Sequence, residues 1–181
     1  IIASQIINAI QTIISRVTSP IDKALISVTK INAGSAYNVI ADELKFGGTV
    51  RTFKPEIRKL IKQKIHDTSK GIALANGGDI EFSYRHGYPP TINSKNESIF
   101  AGNVAKELVG PENVITDIDP SMGGEDFSYF LNNKPGSYLY IGQKDEDHKA
   151  HLHTTSYDFN DNLLPLGVNF WVNLVKSFFN K

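Results

Sequence analysis

The fold is indicated most clearly by one stretch of alternating residues, Leu44-Lys45-Phe46-Gly47-Gly48-Thr49-Val50-Arg51. Side chains of a β-strand point alternately to its two faces, so Phe46 and Val50 would share one face and Arg51 would lie on the other. This pattern predicts a strand with one buried face. A run rich in branched residues at 25–31 predicts a second strand earlier in the chain.

Two helices are predicted next to these strands. Ser4 can cap a first helix, which Pro20 ends, and Pro55 suits the first turn of a second helix. Both predicted helices have one apolar face, as expected for helices that pack on a core. The apolar residues are Ile6, Ile10, Ile13, Ile14 and Val17 in the first helix, and Ile57, Leu60, Ile61 and Ile65 in the second.

A third alternating strand is predicted after the turn at Gly77-Gly78, with Ile80, Phe82 and Tyr84 on one face. The predicted order is therefore helix, strand, strand, helix, strand. One more strand in front would complete the βαββαβ order of a ferredoxin-like sandwich. The sequence thus predicts an α+β domain over residues 1–88 whose first strand is missing, and we expect the chain to be part of a longer protein.

The second half, residues 89–181, is predicted to be α/β. The boundary is placed at Tyr88-Pro89-Pro90, because two prolines continue neither a helix nor a strand ladder. Helices are expected at 96–109 and from Glu125 and Asp161 onward, and strands near 114–118 and 137–141. Residues 143–162 form a long polar connection, which is the usual place for a functional site.

The composition excludes several classes of protein. Nineteen basic residues balance nineteen acidic ones among 181, so the charge gives no reason to expect nucleic acid or an anionic membrane as a partner. The longest apolar runs are too short to span a bilayer. The absence of cysteine excludes disulfides and thiolate metal sites, and it fits a cytoplasmic protein.

Two motifs in the second half could carry chemistry. The run Ser121-Met122-Gly123-Gly124-Glu125-Asp126-Phe127 joins two glycines to two carboxylates, and either it lines a ligand pocket or its carboxylates cap a helix. His148, His151 and His153 lie within six residues, and His151 and His153 would share a face of an extended segment. Imidazole is a common metal ligand, but spacing of this kind is more often explained by a solvated loop that happens to hold histidines.

Two residues of the first half are candidates for substrate contacts. Arg51 could form a bidentate contact with a substrate carboxylate, although an exposed arginine of a sheet is more often only solvated. Asn38 lies in a predicted loop, where asparagine most often serves a turn.

Taken together, motifs along the whole chain resemble the C-terminal part of the hippurate hydrolase and indole-acetyl-amino-acid hydrolase family. These N-acyl-amino-acid amidohydrolases belong to the wider group of dinuclear-zinc peptidases and aminoacylases. Single motifs of this kind are weak, but the ordered series is specific. The series comprises Asn32-Ala33-Gly34, residues 36–42, 48–53 and 88–93, the run from Met122 to Phe127, Pro135-Gly136, Ile141-Gly142, Leu152-His153 and residues 157–161.

The resemblance implies a fold and an assembly. Residues 1–88 would be most of a ferredoxin-like lid, which in this family usually also forms a homodimer. Residues 89–181 would be the C-terminal part of an α/β catalytic domain that holds two divalent metal ions, namely zinc or alternatively manganese or cobalt.

The resemblance also implies roles for individual residues. His153 would be a metal ligand, with His151 as the second choice. Asn38 and Arg51 would contact the carbonyl and carboxylate ends of the substrate. The run Met122-Gly123-Gly124-Glu125 would form a wall of the substrate pocket.

Several family motifs are absent from this chain. They are a His-x-Cys-Gly-His-Asp motif, a Glu-Glu pair that supplies the general base and a ligand, and a Gly-Gly-His segment of the lid. Ala41 also stands where many family members have proline. We therefore expect most metal ligands and the base to lie outside this chain, and none of its own residues is assigned as catalytic.

Two functional hypotheses follow. In the first, the parent protein is a metal-dependent amidohydrolase that cleaves the amide of N-acyl amino acids or small peptides, with metals that activate a water and a glutamate that takes its proton. The isolated chain would be inactive. In the second, the chain is a non-catalytic binding or dimerisation module. The metal content of the full-length protein distinguishes the two.

Overall fold

The computed structural model describes residues 1–180, so Lys181, the last residue of the predicted second domain, lies outside the described residues. The chain divides into two compact units. Unit 1 consists of Ile1–Pro90 and Ser121–Glu125, and unit 2 of Thr91–Pro120 and Asp126–Lys181. The assignment of residues 1–88 and 89–181 as lid and catalytic domain stays a prediction.

Unit 1 contains two helices and a two-stranded antiparallel sheet. The helices are α1 (Ile2–Thr12), extended by a π-helical turn at Ile13–Val17, and α2 (Pro55–Ala75). The strands are β1 (Ala24–Ala33) and β2 (Leu44–Thr52). Both predicted strands and the helix start at Pro55 are thereby confirmed.

Isoleucine side chains form the core of unit 1. Helix α1 packs on α2, and both pack on the face of the sheet that carries Phe46 and Val50. Phe46 and Val50 are half-buried and Arg51 is exposed, as the alternation predicts. The buried members of this core are Ile6, Ile10, Ile13, Ile26, Ile57 and Ile61.

One irregularity shapes the sheet. Val28 pairs with Gly48 and Lys30 with Gly47, so Thr29 is an extra residue in β1 and forms a β-bulge. A Cβ atom on Gly48 would lie 1.9 Å from the Ser27 carbonyl oxygen, so only glycine fits at this pairing. Gly48 therefore accommodates the bulge, whereas a Cβ atom on Gly47 would meet no atom within 4 Å.

Two predictions for unit 1 are wrong. Ser4 does not cap α1, because the helix already begins at Ile2 and the Ser4 hydroxyl donates to the Ile1 carbonyl at 2.7 Å. The third strand is also not formed within residues 1–180. Ile80, Phe82 and Tyr84 are half-buried in alternation, but the Phe82 ring packs on His66 of α2 at 5.5 Å and no strand ladder is formed.

Unit 2 contains three helices and irregular chain. The helices are α3 (Lys95–Val109), α4 (Phe127–Leu131) and α5 (Leu164–Phe179), with 3-10 turns at Pro111–Asn113 and Asp161–Leu163. Helix α3 packs on α5 around Ala101, Val104 and Phe170. Helix α4 begins two residues after the predicted start at Glu125.

The strands predicted at 114–118 and 137–141 are not formed among the described residues. Tyr138 is instead held by Asn93, whose amide donates to the Tyr138 carbonyl at 2.9 Å and accepts from its N–H at 2.8 Å. Leu139, Tyr140 and Ile141 are exposed rather than buried. A side chain thus replaces the strand neighbour that this segment lacks.

Candidate functional site

Arg51 and Met122, both predicted to contact substrate, lie next to each other in unit 1. The β1–β2 pairing sets Arg51 opposite Leu25, near the end of β2. Its Nη1 atom donates a hydrogen bond of 2.6 Å to the Met122 carbonyl oxygen. The structure therefore joins the candidate carboxylate-binding cation to the run Met122-Gly123-Gly124-Glu125.

The run itself is packed on a tyrosine. A Cβ atom on Gly124 would lie 3.1 Å from Cδ2 of Tyr88, which is closer than most such contacts, so glycine allows the chain to approach the ring. The Tyr88 carbonyl accepts a hydrogen bond of 2.9 Å from Nη2 of Arg58 in α2. Gly123 donates its N–H to the Ser121 hydroxyl at 3.1 Å, while Glu125 is half-buried.

Neither Tyr88 nor Arg58 was predicted from the sequence to belong to a site. Tyr88 belongs to segment 88–93, which marks the predicted domain boundary and is also one of the motifs that carry the family resemblance. Arg58 lies in the first turn of α2, and no sequence motif marks it as a site residue. Only the fold brings these two residues to the Gly124 segment.

Asn38 lies apart from Arg51. It is exposed in the connection between β1 and β2. Arg51 lies seven residues after Leu44, where that connection ends, so about 23 Å of strand separates the two regions. A cavity of about 410 Å³ beside this connection is lined by residues of 32–45 but not by Asn38. The predicted role of Asn38 stays a prediction.

His153 has an unusual backbone. It is the one non-glycine residue with a positive φ, 64°, among residues 1–180. Such a conformation is unfavourable for a residue with a Cβ atom and is concentrated at functional sites. The side chain is exposed, and the following Thr154 hydroxyl donates to the His151 carbonyl at 2.8 Å.

Two of the three histidines flank a second cavity. A cavity of about 310 Å³ in unit 2 is lined by His148 and His151 together with apolar residues such as Leu152 and Phe159. His148 donates from its side chain to Asp145, with Nδ1 and Oδ1 2.8 Å apart. This hydrogen bond raises the pKa of the His148 imidazole and lowers the pKa of the Asp145 carboxyl.

The described part of the chain does not contain a complete metal site. Residues 1–180 hold no group of three or more histidine, cysteine, aspartate or glutamate side chains that could bind a metal ion. Structural and catalytic zinc sites use at least three protein ligands. His153 is therefore compatible with one ligand position and not with a two-metal centre built from this chain alone.

A membrane-crossing helix is not found either: none of the helices within residues 1–180 combines the length and the apolar character required.

Comparisons with known proteins agree with the motifs. Residues 4–177 match the family described as peptidase family M20/M25/M40. The chain is 36% identical over 176 residues to the hippurate hydrolase of Campylobacter jejuni, covering 97% of this chain and 45% of that protein. It is 33% identical over 174 residues to the IAA-amino acid hydrolase ILR1-like 2 of Arabidopsis thaliana, covering 91% of this chain and 38% of that protein.

A solved structure is similar in fold. The YXEP protein of Bacillus subtilis, described as a dinuclear metal binding peptidase from the M20 family, superposes with a TM-score of 0.76 and 26% identity, covering 96% of this chain and 44% of that one. The chain thus spans less than half the length of the relatives it matches. The resemblance predicted from the motifs is confirmed, and this chain belongs to the peptidase family M20/M25/M40.

Proposed function

We propose that this chain is part of a metal-dependent amidohydrolase that cleaves the amide bond of N-acyl amino acids or small peptides. The observation that carries the proposal is the hydrogen bond of Arg51 to Met122, which places a cation beside the glycine-rich run. The names of the relatives, a hippurate hydrolase and an IAA-amino acid hydrolase, support this substrate class.

Arg51 is proposed to bind the carboxylate of the substrate. A guanidinium group has five N–H donors, and the bond to Met122 uses one of them. The others can form a bidentate contact with a carboxylate, while the Met122 carbonyl fixes the side chain in place. Arg51 would thus supply orientation, which lowers the entropic part of the barrier.

The wall of the pocket is proposed to be Met122-Gly123-Gly124-Glu125. Gly124 brings this backbone against the Tyr88 ring, and Arg58 holds the Tyr88 carbonyl. Both contacts fix the run relative to Arg51. Asn38 is proposed to contact the substrate carbonyl, as the family resemblance implies.

The full-length protein is proposed to bind two divalent metal ions, with His153 as one ligand. The description of the similar Bacillus subtilis structure as a dinuclear metal binding peptidase supports this number. The remaining ligands and the general base would come from a part of the protein outside this chain. The exposed Val168, Trp171 and Val175 side chains of α5 support that view, because an apolar surface of this kind usually marks an interaction site.

Residues 1–88 are proposed to form the lid and to pair with a second copy. The two strands of unit 1 each have an outer edge that is unpaired within the described residues, and strand edges are natural surfaces for a two-fold interface. Light scattering of the full-length protein tests the proposal: a mass of two protomers is expected, and a monomer at all concentrations contradicts it.

A non-catalytic binding or dimerisation module is the second candidate. Residues 1–180 contain no group of three or more side chains that could bind a metal ion, which favours this candidate for the isolated chain. Elemental analysis combined with an N-acyl-amino-acid hydrolysis assay on the full-length protein separates the candidates. About two metal ions per protomer and hydrolysis that stops on chelation support the amidohydrolase, whereas a metal-free, inactive protein supports the module.

A further inference from the structure

Asn160 closes a long loop at its base. Its side chain is buried, whereas most of residues 143–159 is exposed. The Nδ2 atom donates to the Gln143 carbonyl at 3.1 Å and to Oδ2 of Asp145 at 2.8 Å. Oδ1 accepts from the Asn162 N–H at 3.1 Å. One amide group therefore joins the start of the loop to its end and to the following 3-10 turn.

The Gln143 side chain forms a second link across the same base. Its Oε1 atom accepts from the Tyr157 hydroxyl at 3.1 Å and from the Asn160 N–H at 3.4 Å. Its Nε2 atom donates to the Asp158 carbonyl at 3.3 Å. The second arm of the loop is thus tied at Tyr157, Asp158 and Asn160 to Gln143 at the start of the loop.

Asp145 extends this network into the first arm. Its Oδ2 atom accepts from Asn160, while Oδ1 accepts from the N–H groups of Asp147 and His148 at 2.9 and 2.8 Å. The same Oδ1 atom also pairs with the His148 ring. A change at Asn160 would therefore remove the Oδ2 contact of Asp145 and leave its Oδ1 contacts within the first arm.

The loop that is closed in this way carries His153. A left-handed conformation at a residue with a Cβ atom persists only where the surrounding structure enforces it. The local contacts near His153 are few: Thr154 donates to His151, and the Tyr157 N–H donates to the Thr154 carbonyl at 3.2 Å. The hydrogen bonds of Asn160 and Gln143 hold the two ends of the loop together, which restricts the conformations open to the residues between them.

We propose that Asn160 is a positioning residue that closes loop 143–160 and thereby fixes the backbone of His153. The role in catalysis rests on the proposed function of His153. Asn160 does not touch the reacting groups, so its effect acts through the loop. Removal of a residue that orients a metal ligand without binding the metal typically changes activity by about 10- to 100-fold.

Two substitutions that swap an amide and a carboxylate between positions 160 and 145 test the proposal in the full-length protein. In Asn160→Asp, a carboxylate oxygen would face the Gln143 carbonyl and the Asp145 carboxylate, and these contacts would become repulsive. Adding Asp145→Asn restores a donor opposite the new carboxylate. Asn173→Asp is the matched control, because Asn173 is half-buried and its amide donates only to the Asn169 carbonyl among the bonds that the structure gives it.

Two readouts are measured for each variant: steady-state hydrolysis of an N-acyl amino acid, and backbone amide exchange by mass spectrometry over residues 144–157. We expect Asn160→Asp to lower kcat by roughly 10- to 100-fold with little change in KM, and to accelerate exchange in the loop. The double variant should regain part of the kcat and part of the slow exchange in the loop, and the control should change neither quantity. Unchanged kcat and exchange in Asn160→Asp, or no recovery in the double variant, would overturn the proposal.

The two readouts keep the proposals separable. If His153→Ala leaves hydrolysis unchanged, the proposed function of His153 fails. Amide exchange in the loop of Asn160→Asp still tests whether Asn160 closes the loop. If Asn160→Asp does not fold, Asp145→Ala replaces it, because Asp145 is exposed and its removal takes away one partner of Asn160. Accelerated amide exchange in the loop of that variant supports the closure of the loop by Asn160, and exchange at the rate of the unsubstituted protein contradicts it.

Discussion

The guanidinium of Arg51 donates a hydrogen bond of 2.6 Å to the carbonyl oxygen of Met122, 71 residues later in the chain. Arg51 is presented by a regular strand, and Met122 belongs to an irregular segment that precedes helix α4. A charged donor on a backbone carbonyl fixes the side chain without neutralising its charge. This arrangement supports the carboxylate-binding role proposed for Arg51.

Arg51→Ala should weaken the binding of substrates that carry a free carboxylate. The loss of a bidentate hydrogen bond to a charged group costs about 1.5–3 kcal/mol, so KM should rise about 10- to 100-fold with a smaller change in kcat. Steady-state kinetics on an N-acyl amino acid and on its C-terminal amide measure the effect. Arg85→Ala, at an exposed arginine of the same unit, is the control. An equal loss for both substrates would contradict a carboxylate role.

Gly124→Ala should disturb the pocket wall. The new methyl group would lie 3.1 Å from the Tyr88 ring, which must move, and overpacking of this kind costs about 1 kcal/mol at a half-exposed ring. Thermal unfolding and KM are measured together. Gly87→Ala is the matched control, because a Cβ at the neighbouring Gly87 meets no atom within 4 Å. Equal effects of the two substitutions would show that the Tyr88 contact does not matter.

His153→Gly should be more stable than His153→Ala. Both variants lose the imidazole, but glycine adopts a φ of 64° without the strain that a Cβ atom introduces, a difference of about 1 kcal/mol. Comparison of the two unfolding free energies measures this strain. The same pair of substitutions at His151, whose φ is not positive, should give the opposite order, because glycine increases the entropy of the unfolded chain. A more stable His153→Ala would contradict the left-handed conformation.

The pairing of His148 with Asp145 should make stability depend on pH. The pKa of His148 is raised from 6.5, so its contribution is fully present below that pH and is lost as the pH rises through the higher folded value. The pKa of Asp145 is lowered from 3.8, so its contribution is present above that pH and is lost as the pH falls through the lower folded value. The pair therefore stabilises the fold most between about pH 4 and 6.5.

Thermal unfolding of His148→Ala and of the unsubstituted protein at pH 5.5 and 8.5 measures this dependence. The substitution should lower the unfolding midpoint more at pH 5.5 than at pH 8.5. His86→Ala is the control, because the His86 ring packs on Tyr84 rather than on a carboxylate. A larger effect of His148→Ala at the higher pH would contradict the pairing.

Local patterns predicted the hairpin and the helices of unit 1. The alternation from Leu44 to Arg51 and the position of Pro55 are direct consequences of strand and helix geometry. The β-bulge at Thr29 was not predicted, because it depends on which residue of β2 each residue of β1 meets. Burial of Ile80, Phe82 and Tyr84 followed the alternation, but alternation does not determine whether a ladder partner is present.

The candidate site was predicted only in part. Arg51 and Met122 were proposed separately, and no sequence pattern indicated that they touch across 71 residues. Asn160 was quoted only as part of a motif, although an asparagine before Asp161 and the final helix is a recognisable cap. Its contacts with Gln143 and Asp145 depend on the closure of the loop, which sequence spacing does not reveal.

The most direct test of the account measures hydrolysis by the full-length protein of an N-acyl amino acid and of the same compound with its carboxylate converted to an amide. The metal content of the same sample is counted. We predict about two divalent metal ions per protomer, hydrolysis of the acid, and a much lower rate of hydrolysis of the amide. In Arg51→Ala the rates on the two compounds should be similar. A metal-loaded protein that hydrolyses neither compound, or both equally before any substitution, would contradict the account.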